Sequence, residues 1–455
     1  MARRTTVGVI DVDVLAYTAG EDRVLDQALL EADCMGSAAH VTMLSRMRLD
    51  GNRQLLTAEE ASQVVDELRG LWQEGQEGRF EITLDDQDVH LAIERRLTEK
   101  LGALGKRVHT CRSRNDQVAV DLRLWGRQKL AETQAALAAT AKALLALGKK
   151  YRRVPMVGRT HMQPAMPSSV GLWASAWSEA LVDDAELLET AARLNNRCPL
   201  GSAASYGVPL PIDRELTAKL LDFDGPVHNV LHANQSRGQL ESIQLSALAQ
   251  VMLTLSRLAQ DLILLSMPEF GYFTLPVAFT TGSSIMPQKR NPDVCELMRA
   301  KAAKVLADAQ LVAEIVRAAP SGYNRDLQET KAPYMEGFAI TLASLRILPP
   351  MLAGLVVHED KLREAFSPAV YATDRALELV AGGMPFRDAY DHVKAHLDEL
   401  AARNPDEAIT LKSHLGAPMG LDFDLMAAHV KAVESRARTA LRRHIACRNK
   451  LLKIK

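Results

Sequence analysis

Apolar side chains return at close to helical spacing along several long stretches of this chain. The pattern is plainest over 230–266, where Leu231, Leu245, Leu248, Val251, Met252, Leu255, Leu258 and Leu262 fall on it. Segment 118–150 is rich in Ala, Leu, Lys and Gln, has no proline, and carries only Gly126 before Gly148. Segment 168–196 has the same character and stops before Pro199-Leu200-Gly201. A fourth helix is predicted over 291–318, with Asn291 as N-cap, Pro292 at the first helical position and Ala319-Pro320 closing it. The fifth, over 331–356, carries Pro333 in its first turn, and Pro349-Pro350 are read as a kink or break.

Helices of roughly 25–35 residues stand well above the usual mean of about 11–12. Without sustained heptads they point to a bundle of long helices rather than a coiled coil. Their apolar surface is broad, so part of it is expected to be buried against another subunit. Shorter amphipathic helices flank the bundle. The expected division is 1–110, an N-terminal helical domain; 111–357, the central long-helix domain; and 358–455, a small C-terminal helical domain. The class is all-α.

With 455 residues, one compact core is too small and two or three domains are expected. The 55 basic and 56 acidic side chains nearly cancel, which speaks against a nucleic-acid partner. Anionic ligands must then be met by local clusters of charge. The most apolar window, 245–267, contains Gln250, Arg257, Gln260 and Asp261, so it reads as a buried helix and not a membrane span. The opening Met1-Ala2-Arg3-Arg4-Thr5-Thr6 runs into a short apolar stretch broken by Asp11 and Asp13, unlike a signal peptide. Cys34, Cys111, Cys198, Cys295 and Cys447 are scattered, without a Cys-x-x-Cys pair. A reduced, cytoplasmic setting is expected, and no zinc pattern is visible. The basic stretch from Arg436 to Lys455 reads as a solvated helix face.

Polar segments interrupt this apolar pattern. His109-Thr110-Cys111-Arg112-Ser113-Arg114-Asn115-Asp116-Gln117 precedes a long helix. It reads either as an elaborate N-cap or as a carboxylate cradle made by the helix N-terminus with Ser113, Arg114 and Asn115. Gly158-Arg159-Thr160-His161-Met162-Gln163-Pro164 leads into another long helix. A lone His there is more often structural than catalytic. The stretch 280–292, Thr-Thr-Gly-Ser-Ser-Ile-Met-Pro-Gln-Lys-Arg-Asn-Pro, starts with small residues and ends with two cations at a helix start. A Ser on such a loop acts as a base if its alkoxide is stabilised electrostatically. The alternative is a surface loop before a capped helix. The connection 321–331 offers Tyr323, Gln328 and Lys331 to a ligand, although most such connections only connect.

Together these segments resemble the fumarase/aspartase superfamily and, within it, the argininosuccinate lyases and delta crystallins. Residues 282–292 match the superfamily signature Gly-Ser-Ser-x-Met-Pro-x-Lys-x-Asn-Pro at every fixed position. Segment 109–117 resembles His-Thr-Gly-Arg-Ser-Arg-Asn-Asp-Gln, and 158–163 resembles Gly-Tyr-Thr-His-Leu-Gln. Asp88 to Glu94, Pro199 to Ala204, Tyr323 to Lys331, Ala372-Thr373-Asp374 and Pro385 to Ala389 add to the likeness, which runs from about Tyr17 to about Val393. Two residues depart: Cys111 stands where the family has Gly, and Arg159 where it has Tyr.

The resemblance implies a three-domain fold whose long helices assemble into a larger helical core in a homotetramer, with sites shared between subunits. It implies β-elimination of argininosuccinate to arginine and fumarate, the last step of arginine biosynthesis, with no metal or organic cofactor. Ser283 is then the base. Lys289 and Asn291 hold the succinyl carboxylates with Ser113, Arg114, Asn115 and Thr160. His161, paired with Glu296, supplies or organises the proton for the leaving nitrogen. Tyr323, Gln328 and Lys331 bind the amino-acid end. Two other readings stay open: a related lyase acting on another N-succinyl adduct, and a catalytically silent crystallin-like protein.

Overall fold

The computed structural model describes residues 2–5 and 8–454, and its architecture is all-α. Five long helices form the body: Arg114–Lys150, Val170–Asn195, Gln239–Ser266, Asp293–Arg317 and Lys331–Ala353. The first packs along the second and fifth, and the third along the fourth. Each start has a local cause. Ser113 caps the first helix in a reciprocal box with Asp116, and the Ser169 hydroxyl accepts the Leu172 N–H at 3.1 Å.

The 230–266 pattern is one helix in periodicity but two in space, Val230–Gln235 and Gln239–Ser266. Gly238 between them has φ 77°, and a Cβ there would lie 2.4 Å from Val316 Cγ2. The Gln239–Ser266 helix is long and apolar enough by composition to cross a membrane, and half of its most apolar window is buried within this chain. Three of the polar residues in that window have partners. Asp261 accepts from Trp173 Nε1 at 2.8 Å, Gln260 accepts from Arg299 Nη1, and Arg257 lies over the Trp177 ring.

Of the kink or break expected at Pro349-Pro350, no break occurs, and the helix runs on to Ala353. Pro349 has no N–H to give the Leu345 carbonyl. The buried Thr140 hydroxyl of the neighbouring helix lies 2.9 Å from that carbonyl and 3.0 Å from the Ala136 carbonyl of its own helix, so its proton can be shared with the Leu345 oxygen.

Among the described residues, three short antiparallel strand pairs accompany the helices: Ala2–Thr5 with Gly8–Asp11, the hairpin Pro155–Thr160 with Gln163–Ser169, and the long-range pair Phe273–Thr274 with Val356–Val357. The helical pattern had not predicted them. In the N-terminal region, the helix Leu30–Arg46 packs on Ala58–Gln76 and against Arg114–Lys150. The helix Phe423–Leu451 returns from the C-terminal region to lie along Arg114–Lys150. One hydrophobic core therefore contains Leu44, Leu124, Leu255, Leu345 and Val433 together. A small separate cluster gathers Ala376, Ala389 and Val393. On this packing we propose that the independent C-terminal unit is narrower than 358–455 and ends before Phe423. The basic stretch is a helix face with paired charges: Arg436 with Glu186, Arg443 with Asp222 and Arg448 with Glu31. All five cysteines are free.

Candidate active site

The stretch 281–291 is a loop closed at its base. Thr281 and Asn291 exchange both backbone hydrogen bonds, at 3.2 and 2.8 Å. Asn291 is thereby a bridge residue, and Pro292 takes the cap position of the helix that starts at Asp293. The tip stands in solvent, with Ile285 82% exposed. At the tip, the Ser283 Oγ accepts the N–H groups of Ile285 and Met286 at 3.3 and 3.1 Å. Two aligned N–H donors lower the cost of negative charge on that oxygen, as a base requires. Lys289 is exposed on the same loop, and Glu296 is exposed one turn into the following helix.

Thr160 and His161 sit at the tip of the 155–169 hairpin, not at the entrance of the helix. His161 and Met162 form its two-residue turn, with φ 52° and 64°. Positive φ at both positions fits the twist of a two-residue hairpin, but it is costly for side chains other than Gly or Asn. Arg159 braces the turn. Its Nη1 donates to the Met162 carbonyl at 3.3 Å, and its guanidinium lies 4.8 Å from the centre of the Phe270 ring. The His161 imidazole is exposed and has no hydrogen-bond partner among the described residues.

Ser113, Arg114 and Asn115 line an open cleft of about 620 Å³, with His109, Arg112 and the 203–208 loop opposite. Ser113 is both cap and cleft wall, so the two readings of this segment merge. Its Oγ accepts the Asn115 N–H at 3.2 Å. Arg114 is held by Asp88 at 2.7 Å, which fixes its direction and offsets part of its charge. The carboxylate of the buried Asp116 accepts N–H groups from Ser113, Gly201 and Ala203 at 2.8–2.9 Å, tying the two walls together. Burial pushes its pKa up to about 6, against the pull of those N–H groups. Cys111 has φ 64°, a backbone that favours glycine, so the departure at this position carries local strain.

Gln328 lines a second cleft of about 380 Å³ with Tyr17, Thr18, Glu21 and Asp22, and its Nε2 donates to the Thr18 carbonyl at 3.1 Å. Tyr323 is half-buried nearby in sequence. Lys331 departs from the expectation that it reaches a ligand. Its side chain is 1% exposed, and its ammonium is bound by Asp26 and, at 2.9 Å, by Asp22. An unpaired ammonium would be too costly to bury there, so it holds Asp22 at the cleft wall instead. Sequence reading did not single out Asp22 or Asp26, and it quoted Asp88 and Asp116 only within longer segments, with no role of their own. Burial is what sets these four carboxylates apart.

The single chain thus places its expected site residues in separate locations. The Ser113–Asn115 cleft and the Gln328 cleft share no lining residue, the 281–291 loop lines neither, and among the described residues no hydrogen bond or ion pair joins His161 to Glu296.

Residues 18–307 match a family model described as a lyase. An argininosuccinate lyase of Sorangium cellulosum is 44% identical over 420 residues, covering 92% of this chain and 96% of the relative. This chain belongs to the argininosuccinate lyase family. Another such enzyme, from Stenotrophomonas maltophilia, is 41% identical over 425 residues, 93% of this chain and 97% of the relative. For the fold alone, an EDDS lyase in complex with formate superimposes with TM-score 0.79 at 21% identity, covering 94% of this chain and 93% of the other. A class II fumarase from Schistosoma mansoni gives 0.70 at 17%, covering 90% and 98%. As a family member, the chain is a carbon–nitrogen lyase.

Proposed function

We propose that this chain eliminates arginine from argininosuccinate to leave fumarate, with Ser283 as the base. The observation that carries this is the Ser283 hydroxyl oxygen under two backbone N–H donors, at the exposed tip of a loop pinned at its base. The Ser283 oxygen takes the proton from the carbon next to a succinyl carboxylate. The resulting charge spreads onto that carboxylate, where Lys289, Asn291, Ser113, Arg114, Asn115 and Thr160 supply cations and donors. The electron pair then forms the carbon–carbon double bond as the carbon–nitrogen bond breaks. A proton passes to the guanidino nitrogen from His161, organised by Glu296. Tyr323, Gln328 and Asp22, the last held by Lys331, suit the amino-acid end, whose ammonium finds a carboxylate in that cleft.

The separation of these groups in one chain supports a homotetramer with shared sites. So do Leu253, Leu297, Leu306 and Leu311, all more than 40% exposed on two bundle helices. Each complete site then draws its parts from different copies, which is why its segments lie so far apart in sequence.

The test is Ser283→Ala in purified protein, with fumarate release followed by ultraviolet absorbance. We expect kcat to fall by about 10²–10⁴-fold with an unchanged melting temperature. Near-normal turnover would refute the base assignment.

A further inference from the structure

His90, Glu94 and His109 meet at the edge of the Ser113–Asn115 cleft. His90 and Glu94 are four residues apart on the helix Val89–Leu101 and so share one face. His109 comes from the connection that precedes Cys111. His90 Nε2 lies 3.3 Å from His109 Nδ1, and His109 Nδ1 lies 3.7 Å from a Glu94 oxygen. The three ligand atoms all fall within 4.8 Å of one another.

We propose that His90, Glu94 and His109 form a binding site for a divalent transition-metal ion of the zinc or cobalt class, with an open coordination position facing the cleft.

The spacing supports this. Metal–nitrogen bonds of about 2.0–2.1 Å in tetrahedral geometry put neighbouring ligand atoms roughly 3.3–3.4 Å apart. The two imidazole nitrogens already stand at that distance, and the glutamate oxygen, 3.7 Å from His109 Nδ1, has to move closer to complete the set. The outer contacts also suit a metal ligand. His90 Nδ1 is 3.1 Å from Oδ2 of the fully buried Asp33. A carboxylate on the far nitrogen fixes the tautomer and turns the Nε2 lone pair toward the ion. Asp33 itself is held by the Ser37 hydroxyl at 2.9 Å. The nearest cation is Arg112, whose Nη1 is committed to Ser37 and Gln117 at 2.8 and 2.9 Å. Two carboxylates against one guanidinium leave the locality negative before an ion arrives. The donor set of two imidazoles and one carboxylate favours zinc, cobalt or nickel over magnesium or calcium. Access exists because His109 is about one-third exposed and lines the cleft.

The experiment uses the full chain after chelator treatment. Cobalt(II) is titrated in while the visible ligand-field absorption is recorded, and zinc binding is measured by equilibrium dialysis with magnesium as competitor. We expect one ion per chain, a tetrahedral cobalt spectrum and no displacement by magnesium. His109→Ala and Glu94→Gln should each weaken binding by about tenfold or more. Both residues are partly exposed, and if one variant fails to fold the other still decides. The pair His392 and His396, one turn apart on the surface with ring centres 4.4 Å apart, is the competing site. His396→Ala should leave the stoichiometry unchanged. Loss of binding in that variant, unchanged affinity in Glu94→Gln, or no bound cobalt in the folded wild type would each overturn the proposal. The readout does not depend on turnover, so its failure is separate from any failure of the elimination reading.

Discussion

Glu31 joins the N-terminal helices to the last helix of the chain, and replacing it by Gln should loosen that junction in a pH-dependent way. One carboxylate oxygen accepts from Trp72 Nε1 at 3.0 Å and Arg448 Nη1 at 3.1 Å, and the other faces His444 Nε2 at 3.2 Å. Burial alone would raise its pKa. The bond to His444, the charge of Arg448 and the bond from Trp72 outweigh that and lower it from 4.5 to about 2. At about 1.4 kcal/mol per unit, the ionised carboxylate contributes about 3 kcal/mol. The folded pKa lies below the unfolded one. This contribution is therefore present above pH 4.5 and is lost as pH falls toward 2. Glu31→Gln keeps one acceptor oxygen but no charge, so it should cost about 2–3 kcal/mol at pH 7 and progressively less below pH 4.5. Melting midpoints of both proteins, taken at matched scan rate from pH 7 to pH 3, measure the gap. Limited proteolysis should release the C-terminal helix sooner in the variant at pH 7. A gap that is absent at pH 7, or equally wide at pH 3, would refute the reasoning.

Thr140→Val should destabilise the fold by about 1–3 kcal/mol, because it strips the Leu345 carbonyl of the donor that stands in for Pro349; Thr140→Ser should restore most of the loss in a denaturant titration. Cys111→Gly should raise the melting midpoint slightly, since relief of about 1–2 kcal/mol of backbone strain exceeds the roughly 0.4–1 kcal/mol of added unfolded-chain entropy; a fall would show that the thiol packs favourably there. If sites are shared, inactive Ser283→Ala and His161→Ala proteins that are dissociated and reassembled together should recover activity that neither shows alone. Sedimentation should give a tetramer mass for each, and a monomer at micromolar concentration would contradict the shared site.

The helix bodies were legible because periodicity reports burial directly. Their interruptions were not. Gly238 breaks the 230–266 pattern for a reason that lies at Val316, and the helix survives Pro349 for a reason that lies at Thr140. Both compensating atoms are remote in sequence, and neither leaves a mark on the local pattern. The same holds at the candidate site. Its segments stood out as polar runs against an apolar background, yet Lys331 looked free because Asp22 and Asp26 are some 300 positions away. The hairpin that carries Thr160 and His161 was hidden by its prolines, Pro164 and Pro167. These suit an extended strand as well as the approach to a helix.

Backbone strain marks the site in a way that propensity cannot. Of the nine described non-glycine residues with positive φ, five lie in the segments that carry or line it: Cys111, His161, Met162, Ala203 and Ser205. Strain persists only where surrounding contacts over-determine it, and those contacts are visible here. Asp116 grips the backbone at Gly201 and Ala203, and Arg159 grips the turn at Met162. Arg159 fixes the tip of this hairpin through that carbonyl and the Phe270 ring. The imidazole of His161 is presented to solvent with no hydrogen-bond partner among the described residues, on a turn whose conformation costs free energy to hold. That combination agrees with the shared site proposed above. It is what a residue needs if its target is a substrate completed by another copy.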